Sequence, residues 1–443
     1  MLVSSLIPLV SLILPQLAAA VPAAQVLARQ QPIQGFPKPS QDEFYSQPDN
    51  LASYGPGQII RTRPFLTRYP TNVSSSSQFL YRSNDDQGSP IGATGAIFFP
   101  ETLAPEPKLV VYNVAEDAAS LDCAPSWVWV NSTPTRNTTS NEVYLNWAVS
   151  RGYYLVSIDF EGPNGAWLDG KLEGQTVLDG VRAALSFLKL PTSTPFVTSG
   201  FSGGAHTTAF AANEYARGYA SELNFVAAAH GGTPVDLVST YKTLDGSVGS
   251  QLALYALLGL SHAYPGFQQS LQSSLTWLGT PVLSRLSDLC PSSDDYQITY
   301  LGPLEPLFTV QPLDQPALQT VVGNLSLLNN VSTIPVPAPK MPRFIYHGES
   351  DEEVPFAPIT QYVQQQCDQG ADIRFVSIPG THFNSQTGGL VATLQFMGDA
   401  LEGNLQNAPC GSPINTPAIG SPEANDYLGP HLSALAQAVF NSG

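Results

Sequence analysis

Charge is scarce in this chain. Only 12% of its 443 residues are Asp, Glu, Lys or Arg, about half the roughly 25% of ordinary soluble domains. Basic residues are scarcest: 18 Lys and Arg face 35 Asp and Glu, a formal net charge of −17. That balance repels nucleic acid and anionic membranes, so no nucleic-acid partner is expected. It leaves open a neutral substrate or an uncharged lipid surface. Only four cysteines occur and none forms a Cys-x-x-Cys pair, which argues against a zinc site. No apolar run after the N-terminal residues approaches the roughly 20 needed to span a bilayer. With charge so thin, Ser, Thr, Asn and Gln must carry the surface, which suits an extracellular protein.

What is present agrees with that compartment. Residues 1–20 read as a secretory signal: Leu6 to Leu14 form a short apolar core, and Ala18-Ala19-Ala20 offers small residues for cleavage. Pro8 and Pro15 would break a buried helix there. In an oxidising compartment Cys123, Cys290, Cys367 and Cys410 can form two disulfides in three connectivities. Asn72, Asn131, Asn137, Asn324 and Asn330 head Asn-x-Ser/Thr sequons and are candidate glycosylation sites.

Residues 21–40 look like an extended lead-in. Apolar runs at Gln58–Thr62, Gln78–Arg82 and Gly95–Phe99 then suggest strands. From Leu109 onward strand-like runs alternate with helical spacing, as in Val177, Val181, Leu185 and Leu188. This pattern predicts an α/β fold, a mostly parallel sheet with helices on both faces. The alternation stops between Gly232 and about Met341. The division expected is a core over 41–231, an inserted, mainly helical cap or lid over 232–340, and a second core part with the tail over 341–443. The apolar stretch Tyr255–Leu278 has two readings: the cap's own core, or the wall of an acyl-chain pocket.

The chemistry centres on Gly200-Phe201-Ser202-Gly203-Gly204. It follows a strand-like run and precedes a helix-like one, the context of a nucleophile elbow. Residues two positions from the serine must be small there, and both are glycine. A serine needs a base and a group that orients the base. In doubly wound hydrolases the order is serine, acid, histidine. Asp351 and His382 follow in that order, each in a loop after a strand. Glu349, Glu352 and Glu353 compete for the acid role. His206 could line the pocket, His347 suits a loop-stabilising role, and His230, His262 and His431 have no catalytic context. The Gly203 N–H is one candidate oxyanion donor. The residues alone make Glu116 and Asp117 solvated turn residues.

Several segments together resemble the fungal secretory lipases of the lipase A type. They include Tyr81-Arg82-Ser83-Asn84-Asp85, Ala115-Glu116-Asp117, Leu121-Asp122-Cys123-Ala124-Pro125-Ser126, Asp159-Phe160-Glu161-Gly162-Pro163-Asn164 and Asp351-Glu352-Glu353-Val354-Pro355. The resemblance implies an α/β-hydrolase core with a helical cap, and hydrolysis of triacylglycerols and simpler esters. It implies the triad Ser202, Asp351 and His382, and an oxyanion hole from Gly203 and Asp117. It also implies the pairings Cys123–Cys290 and Cys367–Cys410. A secreted monomer acting on a lipid or small ester without metal or cofactor is expected. The alternatives are a carboxylesterase of short soluble esters, a serine peptidase on the same scaffold, and an inactive, adhesin-like hydrolase fold.

Overall fold

The computed structural model describes residues 35–67, 69–131, 136–291, 300–328, 332 and 334–440, without the side chains of 131–140. The signal segment and most of the lead-in lie outside the described residues. The strands are β1 (Ile59–Phe65), β2 (Val73–Asn84), β3 (Pro90–Pro100), β4 (Leu109–Asn113), β5 (Tyr154–Ile158), β6 (Pro195–Phe201), β7 (Asn224–Gly231), β8 (Arg343–Gly348) and β9 (Ile373–Ile378). They form one sheet in the order β1-β2-β3-β5-β4-β6-β7-β8-β9. The first three pair antiparallel, as does β3 with β5. From β5 to β9 every pairing is parallel.

The helices are α1 (Pro125–Asn131), α2 (Arg136–Ser150), α3 (Gly170–Leu188), α4 (Gly203–Ala216), α5 (Leu237–Leu244), α6 (Ser250–Ala263), α7 (Pro265–Ser274), α8 (Gly279–Ser287), α9 (Pro316–Asn324), α10 (Phe356–Asp368), α11 (His382–Glu402) and α12 (Pro422–Phe440). The last is broken at Gly429, before Pro430. A proline removes a backbone donor and crowds the preceding turn, so the break falls where the chemistry requires it.

The central strands are mostly apolar and buried at nearly every position because both sheet faces are covered. Along β4, Val110 and Tyr112 join a cluster with Val143, Trp147, Leu390 and Leu394 on one side. Leu109 and Val111 join Val177, Val181, Leu185 and Ala211 on the other. Each buried aliphatic side chain contributes about 1.5–3 kcal/mol. The helix after β4 therefore covers one face and the helix after β6 the other. The loops leaving these neighbouring strands diverge, which opens a crevice at their C-terminal ends.

Helices α5 to α9 all lie between β7 and β8, where the sequence loses its alternation. They share a cluster of their own that includes Leu254, Leu257, Leu260, Leu286 and Leu318. Cys123, just before α1, is joined to Cys290, just after α8. Cys367 of α10 is joined to Cys410. Both pairings are those the family resemblance implies.

Candidate active site

Ser202 sits between β6 and α4 with φ 56° and ψ −122°. A left-handed non-glycine residue costs on the order of 1–3 kcal/mol and persists only where its surroundings fix it. Here its N–H donates to the Gly231 carbonyl at 3.0 Å. The flanking glycines are steric requirements. A Cβ on Gly200 would stand 2.2 Å from the Gly204 carbonyl oxygen, and one on Gly204 2.1 Å from that of Asn113. The tight turn leaves the Gly203 N–H at the first position of α4, where no intrahelical acceptor exists.

His382 Nε2 lies 3.0 Å from Ser202 Oγ, and its Nδ1 lies 2.7 Å from Asp351 Oδ2. Three loops, after β6, β8 and β9, thus meet at one sheet edge. The other oxygen of Asp351 accepts the N–H groups of Glu353 at 3.0 Å and Val354 at 2.7 Å. Burial raises the Asp351 pKa, but the hydrogen bond and charge of His382, with His347 and the Val354 N–H, bring it below the usual value. Burial alone would lower the pKa of His382. The hydrogen bond to Asp351 and the charges of Glu353, Asp351 and Glu352 outweigh that and raise it.

The competing acids separate clearly. Glu352 Oε2 accepts the backbone N–H of His382 at 3.0 Å. Glu349 is exposed and accepts the Ser377 hydroxyl. Glu353 Oε2 stands 3.7 Å from His382 Nε2, on the serine side of the ring, and burial raises its pKa. His347 Nε2 bonds the Val354 carbonyl at 2.8 Å, the loop-stabilising role expected of it. His206 does not line the pocket. It is wholly buried, with Nδ1 2.9 Å from Glu173 Oε2. Four residues along α4 from Ser202, its ring bonds Glu173 of α3 rather than the serine.

The reading of Glu116 and Asp117 as solvated turn residues is also corrected. Glu116 is buried and Asp117 half-buried, with its Oδ1 enclosed and unpaired among the described residues. Asp117 has φ 51°. A Cβ built on Gly203 would stand 1.9 Å from Asp117 Oδ1 and 3.0 Å from Trp167 Nε1. Both atoms therefore crowd the glycine that follows the serine. Burial, then the charge of Glu353, pushes the Asp117 carboxyl up to about 7, with His382 opposing and Glu173 adding. Beneath it, Glu161 accepts the Ala118 N–H at 3.2 Å. Burial, then the charge of Glu116, raises the Glu161 carboxyl well above the ordinary range.

Ser202, Gly203, Asp117, Trp167 and Glu353 together line one cavity. Its remaining wall is mostly apolar and comes from α5, α6 and α9, with Leu237, Leu244, Leu257, Leu260 and Val322. Leu257 and Leu260 also belong to the inserted helices' own cluster, so the apolar span packs those helices and lines the cavity at once. Sequence reasoning missed Trp167 and did not give Glu353 a place in the pocket. Trp167 lies in no motif, and Glu353 is weighed only as a competitor for the acid role within Asp351-Glu352-Glu353-Val354-Pro355. The only signal was Glu353's nearness to Asp351 in the chain.

Asn72 is exposed and Asn324 half-buried, Asn131 and Asn137 fall in α1 and α2, and Asn330 lies outside the described residues. Among the described residues no group of three or more His, Cys, Asp or Glu could hold a metal ion. No described helix is long and apolar enough to cross a membrane.

Comparison with known proteins places the chain in one family. The family described as "Secretory lipase" matches residues 130–407. Lipase A of Moesziomyces aphidis is 33% identical over 94% of this chain and 91% of its own length. Secreted triacylglycerol lipase LIP1 of Malassezia furfur is 28% identical over 91% of this chain and 85% of its own. The X-ray structure of Candida antarctica lipase A in its closed state superposes with a TM-score of 0.86 at 32% identity, covering 92% of this chain and 98% of that one. An esterase from Xanthomonas oryzae, at 18% identity and a TM-score of 0.62, shares the fold alone. The chain belongs to the secretory lipase family: it is a secreted carboxylic ester hydrolase with the α/β-hydrolase fold.

Proposed function

We propose that this site hydrolyses neutral long-chain esters, triacylglycerols foremost, through an acyl-enzyme on Ser202. The observation that carries the reading is the unbroken chain Asp351–His382–Ser202 on the wall of an apolar cavity. His382 Nε2 takes the Ser202 proton as Oγ attacks the ester carbonyl. Asp351, acceptor-only and ionised, fixes the imidazole tautomer and balances its charge. The Gly203 N–H and the Asp117 carboxyl face the developing oxyanion. An acid held protonated by its surroundings can donate there. His382 then returns the proton to the departing alcohol and next activates water.

The cavity wall favours an acyl chain, because apolar lining gains about 25 cal/mol per Å² of apolar surface removed from water. Residues 232–340 act as a cap that supplies this wall. Val248, 79% exposed, precedes Gly249, whose built Cβ meets Glu353, and Phe383, 55% exposed, follows His382. Exposed apolar side chains such as these suit a lipid surface. Names of relatives such as the Malassezia triacylglycerol lipases support the same substrate class. Every group in the scheme comes from one chain, so a monomer suffices. Asn72, exposed on a bend, is accessible for a glycan.

Ser202→Ala should lower turnover of an emulsified triacylglycerol and of a p-nitrophenyl ester by about 10⁶-fold, with the melting temperature held. A folded Ser202→Ala protein with ordinary turnover would refute the scheme.

A further inference from the structure

Five tryptophans occur in the chain, and four have an evident place. Trp127 Nε1 donates to the Pro37 carbonyl, Trp129 Nε1 to Ser157 Oγ and Trp147 Nε1 to the Tyr427 hydroxyl. Trp277 is 87% exposed and has water. Trp167 is different. It is only 6% exposed, and its Nε1 has no acceptor among the described residues.

An indole N–H can only donate. Burying it unpaired destabilises the fold, and a phenyl ring would fill apolar space without that penalty. The backbone there is firmly held. A Cβ on Gly259 of α6 would stand 2.7 Å from both the N and the O of Trp167, so α6 packs directly on it. The Ala166 N–H is bonded to the Glu161 carbonyl at 2.8 Å. Trp167 lines the cavity with Ser202 and Gly203, and its enclosed Nε1 stands 3.0 Å from where a Cβ on Gly203 would lie. The Asp117 Oδ1 on the same glycine is unpaired too, so the two do not satisfy each other.

We propose that the Trp167 indole N–H is a third donor to the reacting carbonyl oxygen, beside the Gly203 N–H and the Asp117 carboxyl. The assignment rests on the Ser202 acyl-enzyme reading. As the Ser202 Oγ–carbon bond forms, the carbonyl π pair moves onto oxygen, and the Ser202 proton passes to His382. Trp167 donates to that oxygen and transfers no proton. When the intermediate collapses, the carbonyl re-forms, the alkoxide leaves, and His382 protonates it. Trp167 acts only where charge appears, so it lowers the barrier more than it strengthens substrate binding.

The test uses a p-nitrophenyl ester and its thiono analogue, whose C=S sulfur accepts hydrogen bonds poorly. In Trp167→Phe, kcat for the oxoester should fall by about tenfold to a hundredfold with KM nearly constant. The thionoester rate should fall far less, so the ratio of the two rates drops. An equal loss on both substrates, or no loss in kcat, would overturn the proposal and leave Trp167 a packing residue. If Trp167→Phe does not fold, site-specific replacement by benzothienylalanine keeps the ring shape and removes only the N–H, with the same two outcomes. Ser202→Ala run alongside separates the two ideas. If it stays active on both esters, the acyl-enzyme reading fails and this one with it. If it is inactive and the rate ratio of the Trp167 variant is unchanged, only the third donor fails.

Discussion

Two groups of carboxyls flank the same serine and behave in opposite ways. Behind His382, Asp351 accepts two backbone N–H groups and an imidazole N–H, and its pKa lies below the ordinary value. Beneath Gly203, Asp117, Glu116 and Glu161 are enclosed with few donors and face one another, and all three are raised. Residue type is nearly the same on the two sides. The number of donors decides the charge. Donors stabilise a carboxylate, while burial and neighbouring carboxylates favour the neutral acid. In the proposed scheme an ionised Asp351 orients the base, and Asp117, raised to about 7, meets the oxyanion as a neutral acid below that pH.

The largest expected effect comes from removing the ionised side. Asp351→Asn keeps the shape but lets the side chain donate to His382, favouring the wrong imidazole tautomer. It should lower kcat by about 10⁴-fold. A loss under tenfold would mean that Glu352 or Glu353 can take its place.

Removing the protonated side should cost less. Asp117→Ala should lower kcat by about 10²–10³-fold. Asp117→Asn retains a donor that cannot ionise, and so tests the charge state itself. For the unaltered protein, kcat/KM should rise as His382 loses its proton, above the ordinary histidine value, and fall as Asp117 ionises near pH 7. The Asp117→Asn protein should lose the falling limb. If that limb remains, another group sets it.

The smallest effect is on stability. The folded-state pKa values of Asp117 and Glu142 are both raised to about 7. The stability these groups lend is complete below their unfolded values, near pH 4, and is lost as pH rises through 7. Melting temperature should therefore fall between pH 5 and pH 8. Glu161 is raised as well and adds to the fall, so Glu161→Gln, which cannot ionise, should flatten it toward pH 8. It should change little at pH 5. A melting temperature that climbs toward pH 8 would contradict the charge states assigned beneath Gly203.

The sequence by itself determined a good deal. The glycine spacing around Ser202 declares the elbow because the turn admits no Cβ at Gly200 or Gly204, a local constraint written in local residues. The order of Ser202, Asp351 and His382, each just past a strand, follows from strands whose apolar runs are unmistakable. Those runs are legible because both faces of the sheet are covered. The two disulfides and the role of Asp117 came only from family resemblance, since neither has a local signature. Only the tertiary structure decided which acid reaches His382 Nδ1, that Glu116 and Glu161 are buried against each other, and that Trp167 holds an unpaired Nε1 beside Gly203. These depend on enclosure by segments far apart in the chain: α6 packs on a residue that precedes it by several strands and helices. A carboxyl or an indole carries no mark in the sequence of the donors, charges and walls that will surround it, and those surroundings set its protonation and its task.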